Sequence, residues 1–155
     1  MTPRPKSTRV PRNGRHPLDT FELELPSRPH EVSRVEGFLK AANRRLGLDD
    51  GTLYRLLVAA TEAVNNAIIH GNRSDPDRTV HVFMRATSRR ILLRVEDEGQ
   101  GFDAQALPSP LEEENLLKDH GRGVFLIRSL MDEVRFIRLR RGSAAIMVLR
   151  LDRMS

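Results

Sequence analysis

Residues 62–72 read Glu62-Ala63-Val64-Asn65-Asn66-Ala67-Ile68-Ile69-His70-Gly71-Asn72. Leu53, Leu56, Leu57, Ala60, Val64, Ala67 and Ile68 recur at helical spacing through and ahead of this stretch. The spacing predicts a helix from about Gly51 to Ile69, with Asp49 or Asp50 as its cap. On it Glu62 and Asn66 stand one turn apart, about 40° round from each other and roughly opposite the apolar stripe. Taken alone, such a pair is a solvent-facing surface. Ala59 and Ala63 beside it leave room for a ligand, however. A carboxylate and an amide at this spacing suit a hydrated divalent ion and an attacking oxygen.

Working outward, Phe21-Glu22-Leu23-Glu24-Leu25 alternates as a strand. Ser27 and Pro29 offer an N-cap and a first-turn proline for a helix running to about Leu46, with Val32, Val35, Phe38, Leu39 and Ala42 as its buried stripe and Gly47 at its end. Downstream, Gly71 to Asp77 is a turn cluster. Val80, Val82 and Met84 alternate, and Thr87-Ser88 turns the chain into Ile91 to Val95, an antiparallel hairpin. From Gly99 to His120 glycine, proline and acids predict a long segment without regular structure. A short helix from Val124 to about Met131 leads to two closing strands, Val134–Leu139 and Ala144–Leu151, joined at Arg141-Gly142. The order β-α-α-β-β-loop-α-β-β predicts an α+β fold with helices on one face of a mainly antiparallel sheet.

Two further polar islands accompany the first. Asp97-Glu98-Gly99-Gln100-Gly101 follows a strand; an Asp there suits a base amino group, and the glycines let backbone approach a ligand. His120-Gly121-Arg122-Gly123 is expected to open a helix, whose free amides would attract polyphosphate. It is not a Walker A loop, lacking Gly-Lys-Ser/Thr, and no strand directly precedes it as in a dinucleotide fingerprint.

Composition narrows the classes. The 155 residues amount to one domain, and with no cysteine there is no disulfide, thiolate metal site or cysteine nucleophile. The net charge of +5 is carried by Arg4, Lys6, Arg9, Arg12 and Arg15; the remainder balances 21 basic against 21 acidic side chains. A neutral domain disfavours nucleic acid as its partner. The reading is a basic, Pro-rich disordered tail over 1–17 and a single domain over 18–152. No apolar run spans a bilayer and no secretory signal is visible, so a cytoplasmic location is the default.

Taken together, Glu-x-x-x-Asn on a helix, Asp-x-Gly-x-Gly after a strand and Gly-x-Gly at a helix start resemble the ATPase superfamily of DNA gyrase, heat-shock chaperones and sensor histidine kinases. The stretches Glu62 to Asn72 and Gly121-Arg122-Gly123-Val124-Phe125-Leu126-Ile127 resemble, more closely, the bacterial anti-sigma-factor serine/threonine kinases. The resemblance implies a two-layer α/β sandwich of the Bergerat type with a mixed sheet. It implies Glu62 as general base, Asn66 as magnesium ligand and Asp97 as the adenine acceptor, with Gly99 and Gly101 shaping the base pocket. Gly121, Arg122 and Gly123 match the loop on the phosphates, and residues 102–120 the ATP lid. Relatives often carry two hydroxyl residues near the last strand; Gly142-Ser143-Ala144 supplies one. The implied cofactors are ATP and Mg2+. The implied role is a kinase that phosphorylates a small STAS-type anti-anti-sigma protein and sequesters a sigma factor, as a homodimer. The alternative is a weakly catalytic or non-catalytic ATP-binding module that regulates a partner by contact. A histidine kinase core is disfavoured, because no phosphoacceptor hairpin is present.

Overall fold

A computed structural model describes residues 19–99, 109–110 and 113–151, with backbone alone at 109–110 and 113–120. The expected disordered tail, Gly101, and the rest of the expected lid lie outside these residues. The elements are β1 (Asp19–Pro26), a 3₁₀ turn (Pro29–Ser33), α1 (Arg34–Leu46), α2 (Asp50–Asn66), a π-turn (Ala67–Gly71), β2 (Thr79–Ala86) and β3 (Arg90–Glu96). There follow β4 (Ser109–Pro110), α3 (Glu113–Leu130), β5 (Glu133–Arg138) and β6 (Ser143–Arg150). The strands form one sheet in the order β1-β2-β3-β6-β5-β4.

The two-layer α+β architecture is as expected. Where a mixed sheet was implied, every pairing among the described residues is antiparallel. Strand alternation sorts the sheet into two faces. Phe21, Leu23 and Leu25 on β1, Val80, Val82 and Met84 on β2, Ile91, Leu93 and Val95 on β3, and Met147 and Leu149 on β6 are buried on the inner face. Val35, Phe38, Leu39 and Ala42 of α1 and Leu56, Ala60 and Val64 of α2 meet them in one core. Each large side chain removed from water there contributes roughly 1.5–3 kcal/mol. Among the described residues no helix is long and apolar enough to cross a membrane.

Three local expectations are revised or narrowed. Ser27 does not cap a helix: its Oγ donates to Arg78 O at 2.7 Å, stitching the end of β1 to the start of β2. Pro29 instead opens the 3₁₀ turn ahead of α1. At α2 the cap is Asp49, whose carboxylate accepts from Thr52 N at 2.7 Å and Thr52 Oγ1 at 3.1 Å. Those bonds hold its carboxyl below the usual carboxylate range. The third change is the largest. The segment expected to be irregular contains β4, paired with β5, and the first eight residues of α3. Gly121-Arg122-Gly123 therefore lies inside a helix that starts at Glu113, not at a helix opening.

Candidate nucleotide and catalytic site

Helices α2 and α3 run side by side in opposite directions. Arg55 Nε, near the start of α2, donates to Leu130 O at the end of α3 at 2.9 Å. At the other end of the pair, a Cβ added to Gly123 would lie 2.9 Å from Glu62 Oε2 and 3.2 Å from Asn66 Nδ2. The close approach explains the glycine. It also brings two of the three sequence islands together: Glu62, Asn66 and Gly123 share one small volume. Asn66 Nδ2 is buried and has no hydrogen-bond partner among the described residues. Buried polar atoms are rarely left so. Arg122 is exposed. Gly121 has open space where a side chain would be.

The third island is built differently. Asp97 follows β3, is 9% exposed, and is surrounded by backbone. Its Oδ1 accepts from Gly99 N at 3.0 Å and from Ser143 N at 3.1 Å, while its own N–H donates to Ser143 O at 2.9 Å. Burial pushes its carboxyl above the ordinary carboxylate range; the Gly99 and Ser143 amides oppose that rise without cancelling it. No hydrogen bond within the described residues uses Oδ2.

Three glycines make the space. A Cβ at Gly71 would fall 2.3 Å from Asp97 Oδ2, one at Gly99 would fall 2.6 Å from Gly71 O, and one at Gly142 would fall 2.0 Å from Asp97 O. Gly142 also has φ +79°, a conformation glycine adopts without cost. The sequence reading assigned Gly99 and missed Gly71 and Gly142. Both were visible only as turn residues, 71 positions apart in the chain. Ser143, noted as a lone hydroxyl, holds Asp97 through its backbone N–H. Gly101 lies outside the described residues. A groove of about 500 Å³, lined by Glu22, Glu24, His81, Phe83, Arg94 and Glu96, opens on the sheet face away from the helices and contains none of these site residues.

A helix pair carrying Glu and Asn against a glycine, beside a glycine-walled buried Asp, over an antiparallel sheet: these features define an ATPase domain of the histidine kinase-like class. Residues 25–150 match the family model described as a histidine kinase-like ATPase domain, and the chain belongs to that family. Among curated relatives, the serine-protein kinase RsbW of Staphylococcus epidermidis is 32% identical over 123 residues, covering 75% of this chain and 77% of the relative. The serine-protein kinase RsbW of Listeria innocua is 28% identical over 123 residues, covering 76% and 78%. The fold is also similar to a crystal structure of the RsbU and RsbW domains of a Mycobacterium tuberculosis protein, with TM-score 0.62 and 20% identity over 86% of this chain. This chain spans 32% of that longer one.

Proposed function

We propose that this chain is an ATP-dependent protein serine/threonine kinase acting as an anti-sigma factor, whose substrate is a small STAS-type anti-anti-sigma protein. ATP use follows from membership of the ATPase family. The observation that carries the catalytic reading is the convergence of Glu62, Asn66 and Gly123 across the α2–α3 seam. A chain that only bound nucleotide would need no carboxylate at that point.

Each residue has a separable task. Asp97 accepts a hydrogen bond from the amino group of adenine through Oδ2, in a slot walled by Gly71, Gly99 and Gly142. Glu62 takes the proton of the acceptor hydroxyl as the phosphoryl group is transferred in line. Arg122, exposed on α3, supplies positive charge to the phosphates.

Magnesium fits the donor set. The Asn66 carboxamide brings its Oδ1 to the α2–α3 seam beside Gly123 and the Glu62 carboxylate, and Mg2+ ordinarily takes one or two protein oxygen ligands with phosphate and water completing its shell. Among the described residues no cluster of His, Asp and Glu competes for it. When bound, the ion neutralises charge on the β- and γ-phosphates. Homodimerisation, sigma-factor binding and a cytoplasmic setting belong to the same reading and rest on the family resemblance.

The deciding experiment incubates the chain with labelled ATP, Mg2+ and candidate anti-anti-sigma proteins, then maps any phosphorylated residue. Phosphoserine or phosphothreonine that depends on Glu62 supports the kinase. Tight ATP binding with no transfer to any candidate supports regulation by contact instead.

A further inference from the structure

Asn72 is fully buried, and its carboxamide joins three separate parts of the chain. Nδ2 donates to Ser27 Oγ at 2.7 Å and to Thr79 O at 3.1 Å, and Oδ1 accepts from Glu98 N at 2.7 Å. These partners lie just past β1, at the start of β2 and just past β3. A side chain that donates twice and accepts once is an amide. An apolar residue of similar size would strand the Glu98 N–H in the interior.

We propose that Asn72 is a positioning residue for nucleotide selection, acting through Asp97 without touching the base. The proposal rests on Asp97 as the adenine acceptor. The Glu98 N–H belongs to the peptide that leaves Asp97, so its bond to Asn72 sets the backbone torsion on that side. On the other side the Asp97 N–H is tied to Ser143 O. Pinned at both ends, Asp97 has one direction for its side chain. The Gly99 and Ser143 amides occupy Oδ1. Oδ2 is left beside Gly71, the residue immediately before Asn72.

One turn thus clears the slot and anchors its wall. The π-turn makes this possible: Asn72 N donates to Ala67 O at 2.8 Å, closing a wider turn than an α-helix allows. Such turns recur at functional sites. Hydrogen bonds weaken steeply with misalignment. A shift of the 97–98 peptide therefore removes the contact to the adenine amino group while contacts to sugar and phosphate persist.

The test compares binding of ATP with that of inosine triphosphate, which carries an oxo group where ATP has the amino group. Calorimetry on the full chain, with folded fraction checked by circular dichroism, covers wild type, Asn72→Ala, Ser27→Ala, Asp97→Asn and the Asn72→Ala/Asp97→Asn double variant. Asn72→Ala is expected to cut the preference for ATP by about fivefold, as befits one lost hydrogen bond. In the Asp97→Asn background it is expected to cut nothing further. Equal weakening of both nucleotides, with an unchanged ratio, would mean that Asn72 merely supports the fold, and overturns the proposal. Should Asn72→Ala fail to fold, Ser27→Ala removes one Nδ2 acceptor and is expected to lower the preference about twofold; an unchanged ratio there overturns it equally. If Asp97→Asn itself leaves the ratio unchanged, the adenine assignment of Asp97 fails. A shift with Asp97→Asn but not with Asn72→Ala defeats the positioning role alone.

Discussion

The two ends of the site are both cleared by glycine, and they differ in what is left bonded. Around Asp97, the ends of β3 and β6 are tied by the Asp97 N–H to Ser143 O bond, Oδ1 accepts from two main-chain amides, and Oδ2 stands in a slot with walls of main chain. Around Glu62, α2 presents side chains to a glycine of α3, and Asn66 Nδ2 has no partner among the described residues. On the proposed reading, recognition is built from groups whose positions are over-determined, and the reacting end from groups whose hydrogen bonds the ligand would complete. A recognised base arrives in one shape, whereas transfer requires contacts that change along the reaction.

The sharpest way to break this comparison is at the reacting end. Glu62→Gln keeps the shape and removes the basic oxygen, so phosphotransfer is expected to fall by about 10²–10⁴ while ATP affinity holds. Single-turnover transfer measured beside calorimetric binding checks it; a wild-type rate would take Glu62 out of the chemistry.

Next in size comes the recognition end. Asp97→Asn replaces an ionised acceptor by an amide, and ATP binding is expected to weaken at least about tenfold. The same substitution carries a stability signature of opposite sign. The folded-state pKa of Asp97 lies above its unfolded value, so the native chain holds the proton more tightly. The associated stability is present below the unfolded pKa of about 3.9 and is lost as pH rises through the folded value. At neutral pH Asp97→Asn should therefore raise the melting temperature of the ligand-free protein, with the gain fading in acid. A lower melting temperature at pH 7 would count against a desolvated carboxylate.

Acid should also weaken ATP itself. As pH falls through the raised pKa, Asp97 protonates and its acceptor is lost, so affinity is expected to drop several-fold over that fall. Isothermal titrations over descending pH, run on wild type and Asp97→Asn, separate this from titration of the phosphates: only the wild type should show the additional loss.

The smallest effect probes the glycine segment of α3. Gly121 sits in a helix with open space around its missing side chain, so Gly121→Ala should stabilise the fold by up to about 1 kcal/mol. If phosphate binding turns the 121–123 amides out of the helix, the same change should cost up to about fivefold in ATP affinity, by the same free energy. Unchanged affinity beside a higher melting temperature would leave α3 helical in the bound state.

Much of this molecule was legible in its sequence. Period-two alternation placed β1 and β2, and the turns at Thr87-Ser88 and Arg141-Gly142 helped place β3, β5 and β6, all to within a residue or two; on β1, β2 and β3 buried residues alternate with more exposed ones. Helical spacing placed α2, with Glu62 and Asn66 one turn apart. The start of α3 was misread for a local reason. Gly121 and Gly123 look like breakers, and the glutamates at 112–114 look like mutual repulsion; acids are equally at home at a helix N-terminus. The helix continues through Gly123 because packing against Glu62 and Asn66 leaves no room for a Cβ there, and a contact with another helix outweighs a propensity cost of about 1 kcal/mol.

What the chain's own pattern determined, then, is which residues can be polar on which face: Glu62 with Asn66, and Asp97 at a strand end. Only the tertiary structure decided which distant segments close around them. Gly71, Asn72, Gly99, Gly142 and Ser143 meet at Asp97 because β3 and β6 are neighbours in the sheet and the π-turn after α2 folds back over the end of β3. Periodicity is a property of adjacent residues and is written locally. Clearance around a buried carboxylate is a property of segments far apart in the chain, and packing alone brings them together.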